Sequence, residues 1–163
     1  MVDPFGRALR DFHRDELAEP LIQRDGPEEI EHPIEELYFG DVDLDVDPYS
    51  WLDHWLDGPL LDLGAGVGRH TLAFQDEIET VAVEVSEHLV ETMRERGVSR
   101  ARVGDMFALQ ETFPEDRFES VLLNGTQASL AGSRAGLEAF LDDLACVTTA
   151  NGSVVLDSYD PTA

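Results

Sequence analysis

Lysine does not occur in this chain, cysteine occurs once, and there is no run of about 18 apolar residues. Each absence excludes something. A lone Cys146 rules out an intramolecular disulfide framework. Without a long apolar run there is no helical membrane span, and residues 1–14 carry no apolar signal core, so the expectation is an intracellular, cytoplasmic protein. Basic charge is scarce as well: all 11 basic residues are arginine, against 35 acids, giving a formal charge of -24. Such a polyanion repels nucleic-acid phosphates and anionic membrane surfaces alike, and no basic patch offsets it, so neither is an expected partner.

Two explanations of the acidity compete. One is a cation-binding or protein-binding function; the other is a surface adapted to molar salt, where the Debye length shrinks to about 3 Å. The acids are spread along the whole chain and do not form one tail, and arginine and acids stand where lysine would be. That is a composition of the haloarchaeal type, and it favours the salt explanation.

What is present suffices for one core. Hydrophobic residues make up 42% of the 163 positions, enough to offset chain entropy in a single domain of ordinary size. From Pro4 to Ala18, Phe5, Leu9, Phe12 and Leu17 recur at near-helical spacing and predict an amphipathic helix ended by Pro20. Leu21 to Asp47, with Pro27, Pro33 and Gly40 among acids, reads as loop with one short helical piece at Glu35 to Phe39. Residues 1–47 thus form a helical arm, cap or lid. Asp47 and Pro48 are a good N-cap and first-turn pair for a helix from Pro48 to Asp57, with Trp51, Leu52, Trp55 and Leu56 as its apolar stripe.

From there to residue 163 short apolar runs alternate with helical segments, which signals βαβ units and a parallel sheet. Strands are predicted at Leu60 to Leu63, Glu79 to Val85, Arg100 to Val103, Phe118 to Asn124 and Ser153 to Ser158. Helices should start near Gly68 and at the Ser86 cap, the latter stopping at Gly97. A third, with Leu137, Phe140, Leu141 and Leu144 on one face, should close at Asn151 and Gly152.

The segment Leu61-Asp62-Leu63-Gly64-Ala65-Gly66-Val67-Gly68-Arg69 reads as strand, glycine-rich turn and helix start. Glycines let the backbone turn and approach a ligand closely, and helix N–H groups favour a negative group, so a nucleotide-like ligand is implied. The dinucleotide fingerprint needs a small residue where Arg69 stands; glycines at 64, 66 and 68 make GxGxG instead. Asp62 adds a carboxylate at the strand end, suited to an ammonium group and unwelcome beside a pyrophosphate.

These residues resemble motif I of class I S-adenosylmethionine (SAM) dependent methyltransferases, and later motifs follow in order from Leu60 to Ser158. The resemblance implies an α/β, doubly wound Rossmann-like, mostly parallel sheet with strand order 3-2-1-4-5 behind the N-terminal cap. It implies SAM as cofactor, with Asp62 on the methionine ammonium and Gly64, Ala65, Gly66 and Gly68 as the turn beneath it. Glu84, with Val85 beside it, would accept from both ribose hydroxyls. Asp105 would accept from the adenine amino group while Met106 packs on the ring. Asn124 and Gly125, in a fourth motif where Glu119 replaces the usual Asp, would border the methyl group and the substrate. Catalytic residues are not identified.

Plainer assignments stand beside these. Glu84 and Asp105 could be surface acids, His70 a first-turn helix residue, and Cys146 a core residue. Trp51, Trp55, Tyr38 and Phe39 suit core packing, while His13, His32, His54 and His88 lack metal-ligand spacing and should be exposed. No metal is expected. Asn124-Gly125-Thr126 is not the motif associated with methylating amino groups of nucleic-acid bases, so a small-molecule acceptor is expected. After Ser158-Tyr159-Asp160-Pro161 the sequence stops where the family usually continues through a helix and two strands. Val154, Val155 and Leu156 would then form an exposed apolar edge. A truncated gene, completion by a partner or a homodimer through that edge, or a non-catalytic SAM-binding sensor or subunit each accounts for this. A nucleotide or NAD-dependent oxidoreductase is disfavoured by Arg69 and Asp62.

The charge generates a direct prediction. Stability should fall sharply when salt is lowered from molar to millimolar, because carboxylate self-repulsion is then unscreened. Thermal melting across a potassium chloride series checks this, and a melting temperature indifferent to salt contradicts it.

Overall fold

The alternation of apolar runs and helical segments builds one parallel sheet, its covering helices and an N-terminal arm. The computed structural model describes residues 3–46 and 49–158. The expected cap Asp47, Pro48 and the stretch 159–161 lie outside the described residues.

The arm begins with α1 (Pro4–His13), capped by Asp3, whose carboxylate accepts from the Gly6 N–H at 2.8 Å. It stops short of the expected Ala18 because Asp15 adopts a left-handed φ of 57°, letting Leu17 fold back onto Leu9, Ile34, Val67 and Leu89. The next segment is not the expected loop. β1 (Ile22–Asp25) and β2 (Glu28–Glu31) form an antiparallel hairpin around Gly26 and Pro27. Every hairpin residue is exposed, so no apolar alternation reveals it; Asp25-Gly26-Pro27 marks the turn but not the strands. A short π-helical piece, Glu35–Phe39, follows at the predicted place.

The connection to the sheet carries α2 (Leu52–Trp55), one turn where a longer helix was predicted. Leu52 and Leu56, four residues apart, share the buried face, whereas Trp51 and Trp55 are 49% and 56% exposed. The two tryptophans are therefore not core residues, because a single turn buries only one narrow stripe.

The sheet consists of β3 (Leu60–Leu63), β4 (Thr80–Glu84), β5 (Ala101–Val103), β6 (Phe118–Leu123) and β7 (Thr148–Leu156), in the order β5-β4-β3-β6-β7. All four pairings are parallel, so the expected order 3-2-1-4-5 holds when strands are counted within the sheet. Both faces are covered, which is why the central strands are continuous apolar runs. On one face Leu61, Leu63, Val81, Val83, Val121 and Leu123 pack under α5 (Leu109–Thr112) and α6 (Arg134–Val147), through Leu109, Phe140 and Leu144. On the other, Leu60 and Leu122 meet Leu52, Leu56 and Phe74 of α3 (Arg69–Phe74), and Ala82 meets Val90 and Met93 of α4 (Glu87–Glu95).

One helix end differs from expectation. α6 ends at Val147 and the chain enters β7 directly, so Asn151 and Gly152 lie inside the strand. The register jumps from Phe118↔Thr148 to Ser120↔Ser153, so the extra residues form a bulge. The open edge of β6 captures the chain as soon as the helix releases it. β7 itself is an edge strand, with Val154 and Leu156 38% and 42% exposed.

The turn between β3 and α3 depends on Gly68, which caps α3 at φ 79°; a Cβ there would lie 2.7 Å from Val98 Cγ2 and 3.0 Å from Met93 Cγ. Gly68→Ala combines left-handed strain with overpacking and should cost about 2 to 4 kcal/mol, read by denaturant unfolding. A loss below about 0.5 kcal/mol contradicts the tight packing.

Candidate active site

In an open α/β sheet, ligands sit beyond the carboxyl ends of the strands, where strand order reverses. Here the reversal lies between β3, which neighbours β4 on one side and β6 on the other. A cavity of about 530 Å³ opens there, floored by Gly64 to Val67 and walled by Glu84, Val85, Asp105, Met106, Asn124 and Gly125. The resemblance-derived set is thereby brought together except for two members, Asp62 and Gly68.

Glu84 is 9% exposed and firmly held: Oε2 accepts from the Gly66 N–H and Oε1 from the Ser86 N–H, each at 3.1 Å. Each carboxylate oxygen keeps one lone pair unused by these two bonds. Gly66 has a φ of 58° with open space where a Cβ would stand, so backbone approaches the cavity unshielded. Val85 is 69% exposed on the wall, and Met106 is half-buried against the core. Asp105 Oδ1 accepts from the Phe107 N–H at 2.9 Å.

Asp62 does something else. It is 2% exposed, does not line the cavity, and its Oδ2 accepts from Thr71 Oγ1 at 2.6 Å. Burial pushes its carboxyl up to about 6, with the Glu84 charge adding and the Thr71 hydrogen bonds opposing. The structure gives it a tie between β3 and α3 beneath the glycine turn. Gly68 likewise serves packing, away from the cavity wall.

Several lining residues carried no functional signal in the sequence. His70, on the first turn of α3, is 8% exposed and lines the cavity, its Nε2 3.4 Å from Asn124 Nδ2 and its ring edge-on to Tyr49 at 5.8 Å. Burial pushes this imidazole down to about 4, helped by Arg69 and opposed by Asp157. From the arm, Phe5, Leu9, Leu37 and Tyr38 close the cavity's outer side. Phe5 and Leu9 were legible as a helical stripe, but not what they cover. Arg69 fastens the arm, donating to the carbonyls of Gly40 at 2.7 Å and Asp41 at 3.2 Å beneath Tyr49.

The remaining histidines are more engaged than expected. His13 stacks on Phe39, His32 bonds Gln23 and Tyr38, and His88 Nδ1 accepts from Arg10 at 2.9 Å; all three are half-buried, and only His54 is exposed. Burial and the acids Glu115, Asp143 and Asp116 raise the Cys146 thiol, which suits an inert residue. Among the described residues no helix is long and apolar enough to cross a membrane, and no group of three or more His, Cys, Asp or Glu side chains could hold a metal.

Fold and cavity together define a class, the Rossmann-like fold of class I SAM-dependent methyltransferases. The profile of the family described as methyltransferase domain matches residues 60–152, and the chain belongs to that family. It is similar over 98% of its length to a SAM-dependent methyltransferase of Bacteroides fragilis solved with S-adenosyl-L-homocysteine, at 27% identity and a TM-score of 0.77. It spans 65% of that protein's length. A SAM-dependent methyltransferase of Archaeoglobus fulgidus shares the fold at 19% identity and a TM-score of 0.64, over 79% of this chain and 58% of that one. An amino pentose methyltransferase of Micromonospora echinaspora does so at 24% identity and 0.55, over 63% and 44%. No curated protein matches the chain.

The two buried groups have opposite pH signatures. Folding keeps His70 neutral, so its contribution is complete above the unfolded value near 6.5 and is lost as pH falls toward about 4. Asp62 is raised, so its cost is complete above about 6 and is relieved as pH falls toward 3.8. The windows overlap between about 4 and 6 and offset each other. Asp62→Asn should therefore lose stability more steeply than wild type over that range, by about 2 kcal/mol, in urea unfolding at stepped pH. Parallel pH profiles contradict the assignment.

Proposed function

We propose that the chain binds S-adenosylmethionine in this cavity and transfers its methyl group to a small-molecule acceptor. The observation that carries the proposal is Glu84: a buried, anchored carboxylate on the cavity wall, with one lone pair on each oxygen spare for a vicinal diol. The other residues present fit the same ligand. Asp105 Oδ2 takes part in none of the hydrogen bonds that hold this loop and suits an exocyclic amino group. Val85 and Met106 provide apolar surface for a flat ring, and Gly66 leaves room for close backbone approach. Similarity to a protein solved with S-adenosyl-L-homocysteine supports this placement.

When bound, SAM supplies a methyl group on a sulfonium, transferred by in-line displacement as positive charge disperses. The chain's task is alignment and exclusion of water. Glu84 and Asp105 fix the nucleoside end over β4 and β5, which orients the opposite end over β6 at Asn124 and Gly125. Residues 1–47 act as the lid, with Phe5, Leu9 and Tyr38 sheltering the cavity. The lid is held by Arg14 to Glu91 and Glu95 and by Ser86 to Asp3, close to Glu84.

The charge of -24 supports a small-molecule acceptor over nucleic acid, a place away from anionic membranes, and a salt-rich cytoplasm. The half-exposed Val154 and Leu156 on β7 support pairing of that edge with a second copy.

Titration calorimetry with SAM and with S-adenosyl-L-homocysteine in molar potassium chloride tests the cofactor site. Wild type should bind with micromolar affinity, and Glu84→Ala should lose about 100-fold through two charge-assisted hydrogen bonds. Failure of a folded wild type to bind either compound refutes the proposal.

A further inference from the structure

The end of the cavity over β6, where the methyl group would lie, carries polar groups that can also meet an acceptor. His70 and Asn124 face each other at 3.4 Å, His70 8% exposed and Asn124 exposed to the cavity. With the amide N–H of Asn124 donating, Nε2 of His70 accepts and the ring proton sits on Nδ1. At 3.4 Å this bond is long, and an entering donor can replace it. We propose that His70 and Asn124 receive the methyl acceptor, and that this acceptor is a neutral, largely apolar compound whose reacting atom carries a hydrogen-bond donor, as phenol does. The inference rests on the SAM reading of the same cavity.

Charge selects the class. The acids of the cavity wall, Glu84 and Asp105, stand at the opposite end, over β4 and β5. Arg69 lines the cavity, but its guanidinium is engaged by the carbonyls of Gly40 and Asp41 and by the Tyr49 ring. The groups left at the β6 end are the imidazole, the Asn124 and Gln127 amides and the Gly125 backbone, between the apolar side chains of Phe5, Leu37 and Leu130. None of these lining groups offers an anionic or a cationic acceptor a counter-charge, and Asp157, the nearest acid beyond the lining, accepts from the Thr126 N–H at 2.7 Å.

The neutral imidazole assigns His70 its role. The charged groups acting on it are Arg69, which pushes it down, and Asp157, which opposes, with Tyr49 packed edge-on. A ring that titrates near pH 4 accepts a hydrogen bond at neutral pH but does not hold a proton there. His70 therefore binds the acceptor directly: it accepts from the acceptor's O–H and turns the oxygen's other lone pair toward the methyl group. In the transfer the O–CH3 bond forms, the S–CH3 bond breaks with its electron pair remaining on sulfur, and the acceptor's proton leaves along its hydrogen bond to Nε2 and is passed on to water, since an imidazole of pKa about 4 does not retain it at neutral pH.

Phenol, benzoate and benzylammonium, added to protein saturated with S-adenosyl-L-homocysteine in molar potassium chloride at neutral pH, test this. Phenol should shift the His70 imidazole resonances saturably, and the two charged probes should bind at least about tenfold more weakly. His70→Leu should weaken phenol binding about tenfold, whereas His70→Gln, whose amide oxygen offers an acceptor near the Nε2 position, should restore most of it. Should His70→Leu not fold, His70→Asn, too short to reach, replaces it in the comparison. Charged probes binding as well as phenol, or phenol affinity unchanged without the imidazole, overturn the proposal. S-adenosyl-L-homocysteine affinity is measured first in the same samples. Its absence in wild type overturns the cofactor reading, while its retention beside failed phenol selectivity overturns this inference alone.

Discussion

The backbone pairing of β3 with β4 on one side and β6 on the other is the constraint on which the site depends. Parallel pairing in both directions points all three carboxyl ends the same way, and the order reversal leaves a gap between the turns that follow them. Glu84 at the end of β4, the glycine turn after β3 and Asn124 after β6 reach one cavity for that reason alone. Gly66 and Glu84, 18 positions apart, are joined by a hydrogen bond from the Gly66 N–H to Glu84 Oε2, which couples turn and acid.

Beneath that surface a second, buried tie keeps the turn in place. Asp62 accepts from Thr71 and is desolvated, a cost that the Thr71 hydrogen bonds oppose while they tie β3 to the start of α3. His70 is the next residue back along that helix and faces the cavity, so the tie that fixes Thr71 also fixes the imidazole. Arg69 then fastens the arm to the same turn. Three consecutive residues thus hold the strand, the cavity wall and the lid.

Much of this is legible in the sequence. The strand runs around Leu61, Val81 and Val121 are continuous because both sheet faces are covered, and continuous runs separated by helical spacing indicate a parallel sheet. Glycines at 64, 66 and 68 followed by Arg69 separated this turn from the dinucleotide type. Glu84 and Asp105 are legible as candidates because they stand at and just beyond strand ends. What escaped notice was whatever depends on partners distant in sequence. The β1–β2 hairpin has no buried face and so no pattern. Trp51 and Trp55 looked like core because a sequence does not say how long a helix will be, and one turn buries only Leu52 and Leu56.

The sequence by itself determined the architecture, because hydrophobic periodicity and glycine spacing are local properties of the chain. Only the tertiary structure decided which side chains face the cavity and in what ionisation state. Asp62 moved from ligand candidate to buried tie, and His70 from helix residue to neutral cavity wall, since burial, and the neighbours that set it, come from elements that sequence distance keeps apart.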